Sequence, residues 1–354
     1  MIPGDSTEGC EPIDSIIGQE RAYKAIELGV QLFSPGYNIF VCGLAGTGKA
    51  TTIKSILEAI DPDTDPPRDF CYVNNFTDED RPTLLTFERG KGCEFKTGME
   101  NVLEHLKQQL PSIFEEQEFV RRKQEIIDEF SEKQSELFTE FEAQIKDDGF
   151  ILAKIQEGQA IHPDIMYRIE DKAVSIGDIG AAVSQNMLTE EQAEEVVQKY
   201  KSYRGDLQEV MRKGFALSRE YQNKLNQYER SRAESYVAVA LEDIREEFGD
   251  DKVIAYLDSY LESVLDDLDG FRAANNPNAE GEPDFSKYEV NLVLDNEKTA
   301  DVPVVIETAP NFVNVFGTIE RQLSTQGYWF TDFTRIKAGS FLRADGGYLV
   351  LNAA

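Results

Sequence analysis

The segment Gly43–Thr52, GLAGTGKATT, has glycines, a lysine and hydroxyl side chains at a spacing that can bind phosphate. In a loop of the form G-x-x-x-x-G-K, small residues let consecutive backbone N–H groups point at a phosphate group. The lysine and the N-terminus of the following helix add positive charge. The sequence therefore predicts a nucleotide phosphate site, with Thr47 and the amides around it at the β-phosphate. The predicted phosphate-binding residues are Gly43, Leu44, Ala45, Gly46, Thr47, Gly48, Lys49, Ala50 and Thr51.

The residue after the lysine departs from the usual form of this loop. A serine or threonine hydroxyl at that position ligates Mg²⁺, but this chain has Ala50. Thr51 and Thr52 follow, but each successive residue of a helix is rotated by about 100°. Neither hydroxyl group therefore simply takes the direction of the serine or threonine hydroxyl that is missing at residue 50. We therefore expect Mg²⁺ to bind more weakly than at a complete loop.

The elements around the loop must hold it in place. The apolar run Asn38–Cys42 predicts a buried strand before the loop, and residues 51–60 predict a helix after it. A second strand is predicted in RDFCYVNNF, residues 68–76, and a helix in residues 16–33 precedes all of these. The order strand, loop, helix, strand is typical of a parallel α/β sheet.

The middle of the chain has a different pattern. Apolar residues recur at helical spacing over residues 113–146 and again over 207–248, with charged residues between them. Two such long amphipathic helices predict an antiparallel coiled-coil hairpin, and residues 149–200 between them predict a small α+β tip. The predicted domains are 1–98, the first half of a nucleotide-binding domain; 99–287, the helical insertion; and 288–354, the continuation of the first domain.

The last apolar run, GYLVLN, predicts a buried strand. The partner of a phosphate loop is normally a strand that ends in an acid for the metal, often followed by a glutamate that activates water. Here Asn352 and Ala353 stand at those places. An asparagine oxygen can contact Mg²⁺ without contributing charge, and an alanine cannot polarise water. The alternative, that this run is an ordinary strand, has equal weight on the pattern alone.

Charge and composition limit the class of protein. A net charge of −30 argues against a chain whose main partners are nucleic-acid phosphates or anionic lipids. No apolar run approaches the roughly 20 residues that cross a bilayer. The cysteines have no C-x-x-C pair, and Cys42 and Cys71 lie in apolar runs, which indicates reduced, partly buried thiols. We expect a cytoplasmic protein without membrane or nucleic-acid partners.

Several segments together resemble the AAA+ portion of Lon-related ATP-dependent proteases, in the branch with a large coiled insertion. They are IIGQERAYKAIELGV, GYNIFVCGLAGTGKATT, CYVNNFTDEDRP, NVFGTIER and TDFTRIKAGSFLRADGGYLVLNA. The resemblance implies an α/β P-loop AAA+ module with an incomplete parallel sheet, interrupted by a long α-helical coiled-coil hairpin with a small α+β tip. The serine-lysine protease domain of that family has no counterpart here, so we expect the chain to be the front part of a longer protein.

The same resemblance assigns residues and partners. Ile17 and Gly18 would lie by the adenine, Gly43–Thr51 would hold the phosphates, and Asn352 would occupy the metal position. The implied cofactors are ATP or ADP with weakly bound Mg²⁺. The implied partners are protein substrates and further copies of the chain in a hexamer-like ring.

Two functions remain open at this point. One is a Lon-like ATPase module that handles protein substrates. The other is a nucleotide-binding scaffold or chaperone-like AAA+ protein without protease activity that does not hydrolyse ATP, as Ala50, Asn352 and Ala353 favour. The aromatic run 328–333, YWFTDF, is interpreted as core, with a substrate-contacting loop as the alternative. Removal of Glu115–Phe248 is expected to leave nucleotide binding intact.

Overall fold

The computed structural model describes residues 19–32, 36–44, 46–59, 66–157, 160–170, 172–274, 283–299, 302–323 and 327–353. Predictions for Ile17, Gly18 and Ala45 lie outside these residues. The described chain forms two compact units. Unit 1 contains the described residues up to Gln108 and those from Val237 onward, and unit 2 contains Gln109–Tyr236. The domain boundaries drawn from the sequence stay a prediction.

The helices and strands are numbered separately in chain order. The helices are α1 Glu20–Gln31, α2 Lys49–Ala59, α3 Lys91–Ile113, α4 Gln117–Lys146, α5 Ile179–Ser184, α6 Glu190–Ala240, α7 Glu242–Glu247, α8 Asp251–Asp266, α9 Leu268–Ala274, α10 Phe312–Phe316 and α11 Ser340–Arg343. The strands are β1 Arg68–Val73, β2 Thr83–Glu88, β3 Phe150–Glu157, β4 Ala160–Ile169, β5 Lys172–Val174, β6 Val290–Leu294, β7 Val304–Glu307, β8 Gly317–Ile319, β9 Gln322–Leu323, β10 Trp329–Phe330, β11 Ile336–Ala338 and β12 Tyr348–Leu351.

The α/β part of unit 1 is a pair of parallel strands covered by two helices. β12 pairs with β7 in parallel, with Tyr348 opposite Val304 and Leu351 opposite Glu307. Helices α1 and α2 bury their apolar faces on this pair, because their amphipathic spacing places aliphatic side chains on one side. The small core formed there contains Ile26, Val30, Ile53, Ile56, Leu57, Val304, Tyr348 and Val350.

One strand prediction near the loop is wrong, and a second strand lies in a different sheet from the predicted one. Residues 38–42 form no strand, and no described strand runs beside them; Phe40 is 83% exposed. A strand exists only where a neighbour accepts and donates its backbone hydrogen bonds, and an apolar run cannot specify that neighbour. β1 is a strand, but it lies between β2 and β6 in an antiparallel sheet, not in the predicted parallel one.

The antiparallel sheet of unit 1 is held to α3 by a buried acid. Asp69 in β1 is fully buried and accepts hydrogen bonds from the backbone N–H groups of Gly92, in the first turn of α3, and Asn296, after β6. The core beside this sheet is largely aromatic. Phe87, Phe95 and Phe248 pack edge-to-face or stacked, with ring centroids 4.8–5.6 Å apart.

Unit 2 is built on an antiparallel hairpin of α4 and α6, which agrees with the predicted long helical hairpin. Phe119 stacks on Tyr228 with centroids 5.1 Å apart, and Phe130 stacks on Tyr221 at 4.7 Å. The contacts move back along α6 as they move forward along α4, so the two helices are antiparallel.

The tip of unit 2 is an antiparallel sheet in the order β3-β4-β5, packed on α5 and the first turns of α6. The predicted tip helix and the second long helix are one continuous helix of 51 residues. It begins with a reciprocal cap, in which Thr189 Oγ1 accepts from the Gln192 N–H at 3.2 Å and Gln192 Oε1 accepts from the Thr189 N–H at 3.0 Å. Gly205 does not break the helix, because one glycine costs only about 1 kcal/mol relative to alanine.

Short elements between β7 and β12 complete unit 1. β8 and β11 pair in antiparallel fashion, with Gly317 opposite Ala338. An added Cβ at Gly317 would lie 2.2 Å from the Lys337 carbonyl oxygen, and φ there is 90°, so only glycine allows this close approach. Within the described part of the chain, none of the helices combines the length and the apolar character needed to span a membrane.

Candidate nucleotide site

The predicted phosphate loop turns sharply into α2. Gly46 has φ of 78° and Gly48 has φ of 73°, backbone conformations that only glycine adopts without strain. α2 then begins at Lys49. The first amides of a helix have no acceptor inside the helix and point out from its N-terminus, so this turn presents N–H donors and a partial positive charge. Both features suit the binding of an anion.

The lysine of the loop folds back onto the loop itself. Lys49 Nζ donates to the carbonyl oxygens of Gly43 at 2.5 Å and Leu44 at 3.1 Å. Thr47 Oγ1 donates to the Leu44 carbonyl oxygen at 2.9 Å. A phosphate oxygen is a charged acceptor and binds an ammonium group more strongly than a neutral carbonyl does. The ammonium group can therefore exchange these carbonyls for a phosphate.

Two residues with hydroxyl groups, Thr51 and Thr52, follow Ala50 in α2. Ala50 and Thr51 are exposed in the first turn of α2. Thr52 donates its backbone N–H to the Gly48 carbonyl oxygen at 2.9 Å, which is the first bond of the helix. Its side chain contributes to the lining of a cavity beside α1.

That cavity is a feature that sequence reasoning missed. It has a volume of about 270 Å³ and lies between α1 and α2, and its lining includes Gln19, Tyr23, Ile26, Thr52 and Ile56. One lining residue, Gln19, directly follows in the sequence Ile17 and Gly18, which the resemblance places by the adenine. The helical spacing of Ala22 and Ile26 could have indicated that this face of α1 meets α2, but not that space for a ring remains between them.

The predicted metal residue lies at the end of the parallel pair. Asn352 follows β12 directly and is exposed, and its backbone N–H donates to the Glu307 carbonyl oxygen at 3.1 Å. Ala353 comes next and carries no polar side chain. The core described above joins α2 to the same two strands, so the loop helix and the strand before Asn352 belong to one packed group.

Two interpretations of side-chain burial need correction. Cys42 is exposed, because its segment is not part of a sheet, whereas Cys71 is buried as predicted. Tyr328, Trp329 and Phe330 are exposed on the β9–β10 hairpin, with Trp329 at 66%, so they are not core residues.

Phe333, from the same aromatic run, is buried.

Burial of Cys71 raises the pKa of its thiol to about 12, so that thiol is unreactive.

Comparison with protein families gives two matches in separate parts of the chain. The model described as "LonB-like, AAA domain" matches residues 300–354, which include β7, the β8–β11 region and β12. The model described as "Lon-like LonC helical domain" matches residues 69–102, which include most of β1, all of β2 and the first half of α3. No curated protein matched the chain. Two separate parts of the chain are thus similar to Lon-type families, and residues 300–354 are similar to an AAA domain of that kind.

Proposed function

We propose that this chain is the nucleotide-binding AAA+ module of a Lon-like ATP-dependent serine protease. In this function it couples the binding of ATP to the handling and degradation of protein substrates. The observation that carries the proposal is Lys49 at the start of α2, preceded by Gly46 and Gly48 in left-handed conformation. No residue of this chain is assigned to peptide-bond cleavage.

The base of the nucleotide would occupy the cavity between α1 and α2. A cavity with an aromatic ring, aliphatic side chains and a few polar groups suits a nucleobase, and Tyr23, Ile26 and Thr52 supply these. Ile17 and Gly18 would lie by the adenine, in line with the resemblance. Mg²⁺ would be bound by the phosphates, with Asn352 as a neutral oxygen ligand.

We further propose that hydrolysis is slow. Ala50 offers no hydroxyl to the metal, Asn352 offers no charge, and Ala353 cannot activate water. Typical enzymes turn over about 1–1,000 times per second, largely because such groups stabilise charge that develops in the transition state. Loss of all three at separate positions supports binding without efficient turnover.

Protein-substrate handling draws on two features. Tyr328, Trp329 and Phe330 are exposed on one hairpin of unit 1, where aromatic rings can contact an unfolded chain. The helical hairpin of unit 2 ends in a small sheet that can serve as a contact site distant from the loop in the sequence. A hexamer-like ring of identical chains would bring together several copies of both features.

The test combines affinity with turnover. Titration with a fluorescent ATP analogue should give saturable binding, and a sensitive phosphate-release assay should give a turnover far below about 1 per second. Saturable binding is the result that supports the nucleotide site. Mg²⁺-dependent turnover at an ordinary rate that depends on Lys49 would overturn the proposal of slow hydrolysis.

A non-hydrolysing scaffold without protease function is the second candidate, and the same Ala50, Asn352 and Ala353 favour it. The two candidate functions differ in the effect that an unfolded protein should have on nucleotide affinity. If nucleotide binding is coupled to substrate handling, an unfolded protein must change the nucleotide affinity by the same factor as nucleotide changes the affinity for that protein. A scaffold has no such coupling, so an unchanged nucleotide affinity in saturating unfolded protein would favour it.

A further inference from the structure

The polar residues that line the cavity between α1 and α2 differ in how they can bind a base. They are Gln19, Glu20, Tyr23, Lys24 and Thr52. A carboxylate only accepts hydrogen bonds, an ammonium group only donates them, and a hydroxyl group uses one oxygen for both roles. An amide places an N–H₂ donor beside an oxygen acceptor, so it can form two parallel hydrogen bonds with one edge of a ring. Of these lining residues, Gln19 is the one with an amide.

Gln19 has an unusual backbone conformation. Its φ is 62° and its ψ is 30°, in the left-handed region that long side chains seldom adopt. Its carbonyl oxygen accepts the backbone N–H groups of Ala22 at 2.9 Å and Tyr23 at 3.0 Å, which ties the residue to the first turn of α1. Strained residues of this kind cluster at ligand sites, where the surrounding structure holds them. The conformation therefore points to a use of Gln19 beyond the start of a helix.

The side chain of Gln19 does not cap α1. At this N-cap position a short polar side chain commonly accepts a backbone N–H of the first turn, but Gln19 forms no such hydrogen bond. The residue is exposed and contributes to the lining of the cavity. Because the start of α1 does not use the amide, the amide can bind a ligand in the cavity.

The cavity and the phosphate loop can hold two parts of one molecule. Thr52 lines the cavity and lies three residues after Lys49, about 4.5 Å along the axis of α2. Tyr23 and Ile26 offer a ring and an aliphatic surface on which a base can stack. The volume of about 270 Å³ lies just below the roughly 300–1,000 Å³ of pockets that hold a complete ligand. This size suits the base of a nucleotide whose phosphates lie outside the cavity.

We propose that the Gln19 amide binds the edge of adenine that carries N6 and N7, and that it makes the site selective for adenine nucleotides over guanine nucleotides. This inference rests on the proposed nucleotide site. Adenine presents an N6–H₂ donor beside the N7 acceptor, which complements the oxygen and the N–H₂ group of a glutamine. Guanine presents two acceptors, O6 and N7, at the same edge. The amide oxygen of Gln19 would then face O6 and have no donor.

The test compares three unlabelled nucleotides on the whole chain. ATP, GTP and 7-deaza-ATP, in which a C–H group replaces N7, each compete with a fluorescent ATP analogue that is labelled on the ribose. The unaltered chain should bind ATP more tightly than GTP by on the order of tenfold. It should also bind ATP more tightly than 7-deaza-ATP, which lacks the acceptor for the amide N–H₂ group. Gln19→Met keeps a long, unbranched side chain without the amide, so it should weaken ATP binding and bring the three affinities close together.

Gln31→Met is the matched control. Gln31 is an exposed glutamine at the end of the same helix and is not among the residues that line the cavity. Its variant should keep the affinities of the unaltered chain, and circular dichroism of both variants checks that the fold is kept. A purely structural role of Gln19 would lower the affinities for the three nucleotides by one common factor, which leaves their ratios unchanged.

The outcomes separate this inference from the proposed function. If the unaltered chain binds none of the three nucleotides, both are overturned. If it binds ATP and GTP equally, if 7-deaza-ATP binds as tightly as ATP, or if Gln19→Met leaves the ratios of the affinities unchanged, the nucleotide site stands and the role of Gln19 is overturned.

Discussion

The hydrogen bonds that the Lys49 ammonium group donates to described residues go to its own loop, to the carbonyl oxygens of Gly43 and Leu44. We therefore predict that Lys49→Met leaves the fold intact and weakens nucleotide binding. A hydrogen bond to a charged group contributes about 1.5–3 kcal/mol, which corresponds to a loss on the order of ten- to a hundredfold in affinity. The measurement is a titration with a fluorescent ATP analogue, together with the thermal unfolding temperature.

Lys54 offers a matched control on the same helix. It is exposed and forms an ion pair with Glu58 at 3.5 Å, one turn along α2. Such surface pairs contribute about 0–1 kcal/mol. Lys54→Met should bind nucleotide with unchanged affinity. Equal affinity in the Lys49 and Lys54 variants would mean that the loop is not the phosphate site.

At the level of single residues, the sequence predicted that the segment with Gly46, Gly48 and Lys49 is a loop that leads into a helix, because a G-x-x-x-x-G-K loop has strict local requirements. It did not predict the cavity lined by Tyr23 and Thr52, since a cavity depends on how two helices pack. It also did not predict the exposure of Cys42. An apolar neighbourhood in the sequence buries a side chain only when another element covers it.

Among the elements, the antiparallel sheet and α3 share one buried acid, Asp69. Asp69→Ala would leave the backbone N–H groups of Gly92 and Asn296 buried without their acceptor. Each unsatisfied buried donor costs about 1–3 kcal/mol, so the unfolding free energy should fall by about 2–6 kcal/mol. Chemical denaturation monitored by circular dichroism measures this change.

Asp78→Ala is the control, because the Asp78 side chain is exposed and forms a surface ion pair with Arg81 at 3.6 Å. It should change the unfolding free energy by less than about 1 kcal/mol. Similar losses in the two variants would contradict the structural role of Asp69.

The hairpin of unit 2 should respond to acid through Glu129. Hydrogen bonds from Lys224 and Lys133 lower the pKa of Glu129 from 4.5 to about 2. Because the folded pKa is depressed, this stabilisation is complete above the ordinary pKa and is lost as pH falls from 4.5 towards 2. Thermal unfolding between pH 7 and pH 3 should therefore show a smaller acid-induced decrease for Glu129→Gln than for the unaltered chain.

Glu132→Gln tests whether this effect belongs to Glu129. Glu132 is an exposed glutamate on the same helix, less than one turn away. Its variant should follow the acid response of the unaltered chain. A smaller decrease in both variants would show that general charge, and not the Lys224 and Lys133 bonds, governs the response.

Among the elements, the helices were the most predictable. The spacing of Phe119, Phe130 and Phe141 specifies one face of a helix, so the hairpin followed from local pattern. The pairing of the strands could not be predicted from the local sequence pattern. β1 was correctly predicted as a strand but assigned to the wrong sheet, since its apolar residues suit a parallel or an antiparallel neighbour equally well.

For the whole molecule, the two units suggest where an excision should be made. Val237, Leu241, Ile244 and Phe248 are buried in unit 1, so a deletion that runs from Glu115 to Phe248 removes core residues. Replacement of Gln109–Tyr236 by a short flexible linker spares them. We predict that this variant binds the fluorescent ATP analogue with an affinity within about twofold of the intact chain, because the candidate site lies in unit 1.

The same excision should also abolish any change in nucleotide affinity that unfolded protein causes by binding to unit 2. The intact chain, treated identically, is the reference. A large loss of nucleotide affinity with a preserved circular dichroism spectrum would contradict the independence of the site from the hairpin.

Trp329 is the only tryptophan of the chain, and it lies exposed at the β9–β10 hairpin. Its indole is therefore a built-in optical reporter of that hairpin. In the free chain its emission should have the long wavelength of a hydrated indole and be quenched readily by iodide. Any polypeptide that covers the hairpin would shift the emission to shorter wavelength and protect it from the quencher. The encounter with a substrate chain can thus be followed in unlabelled protein.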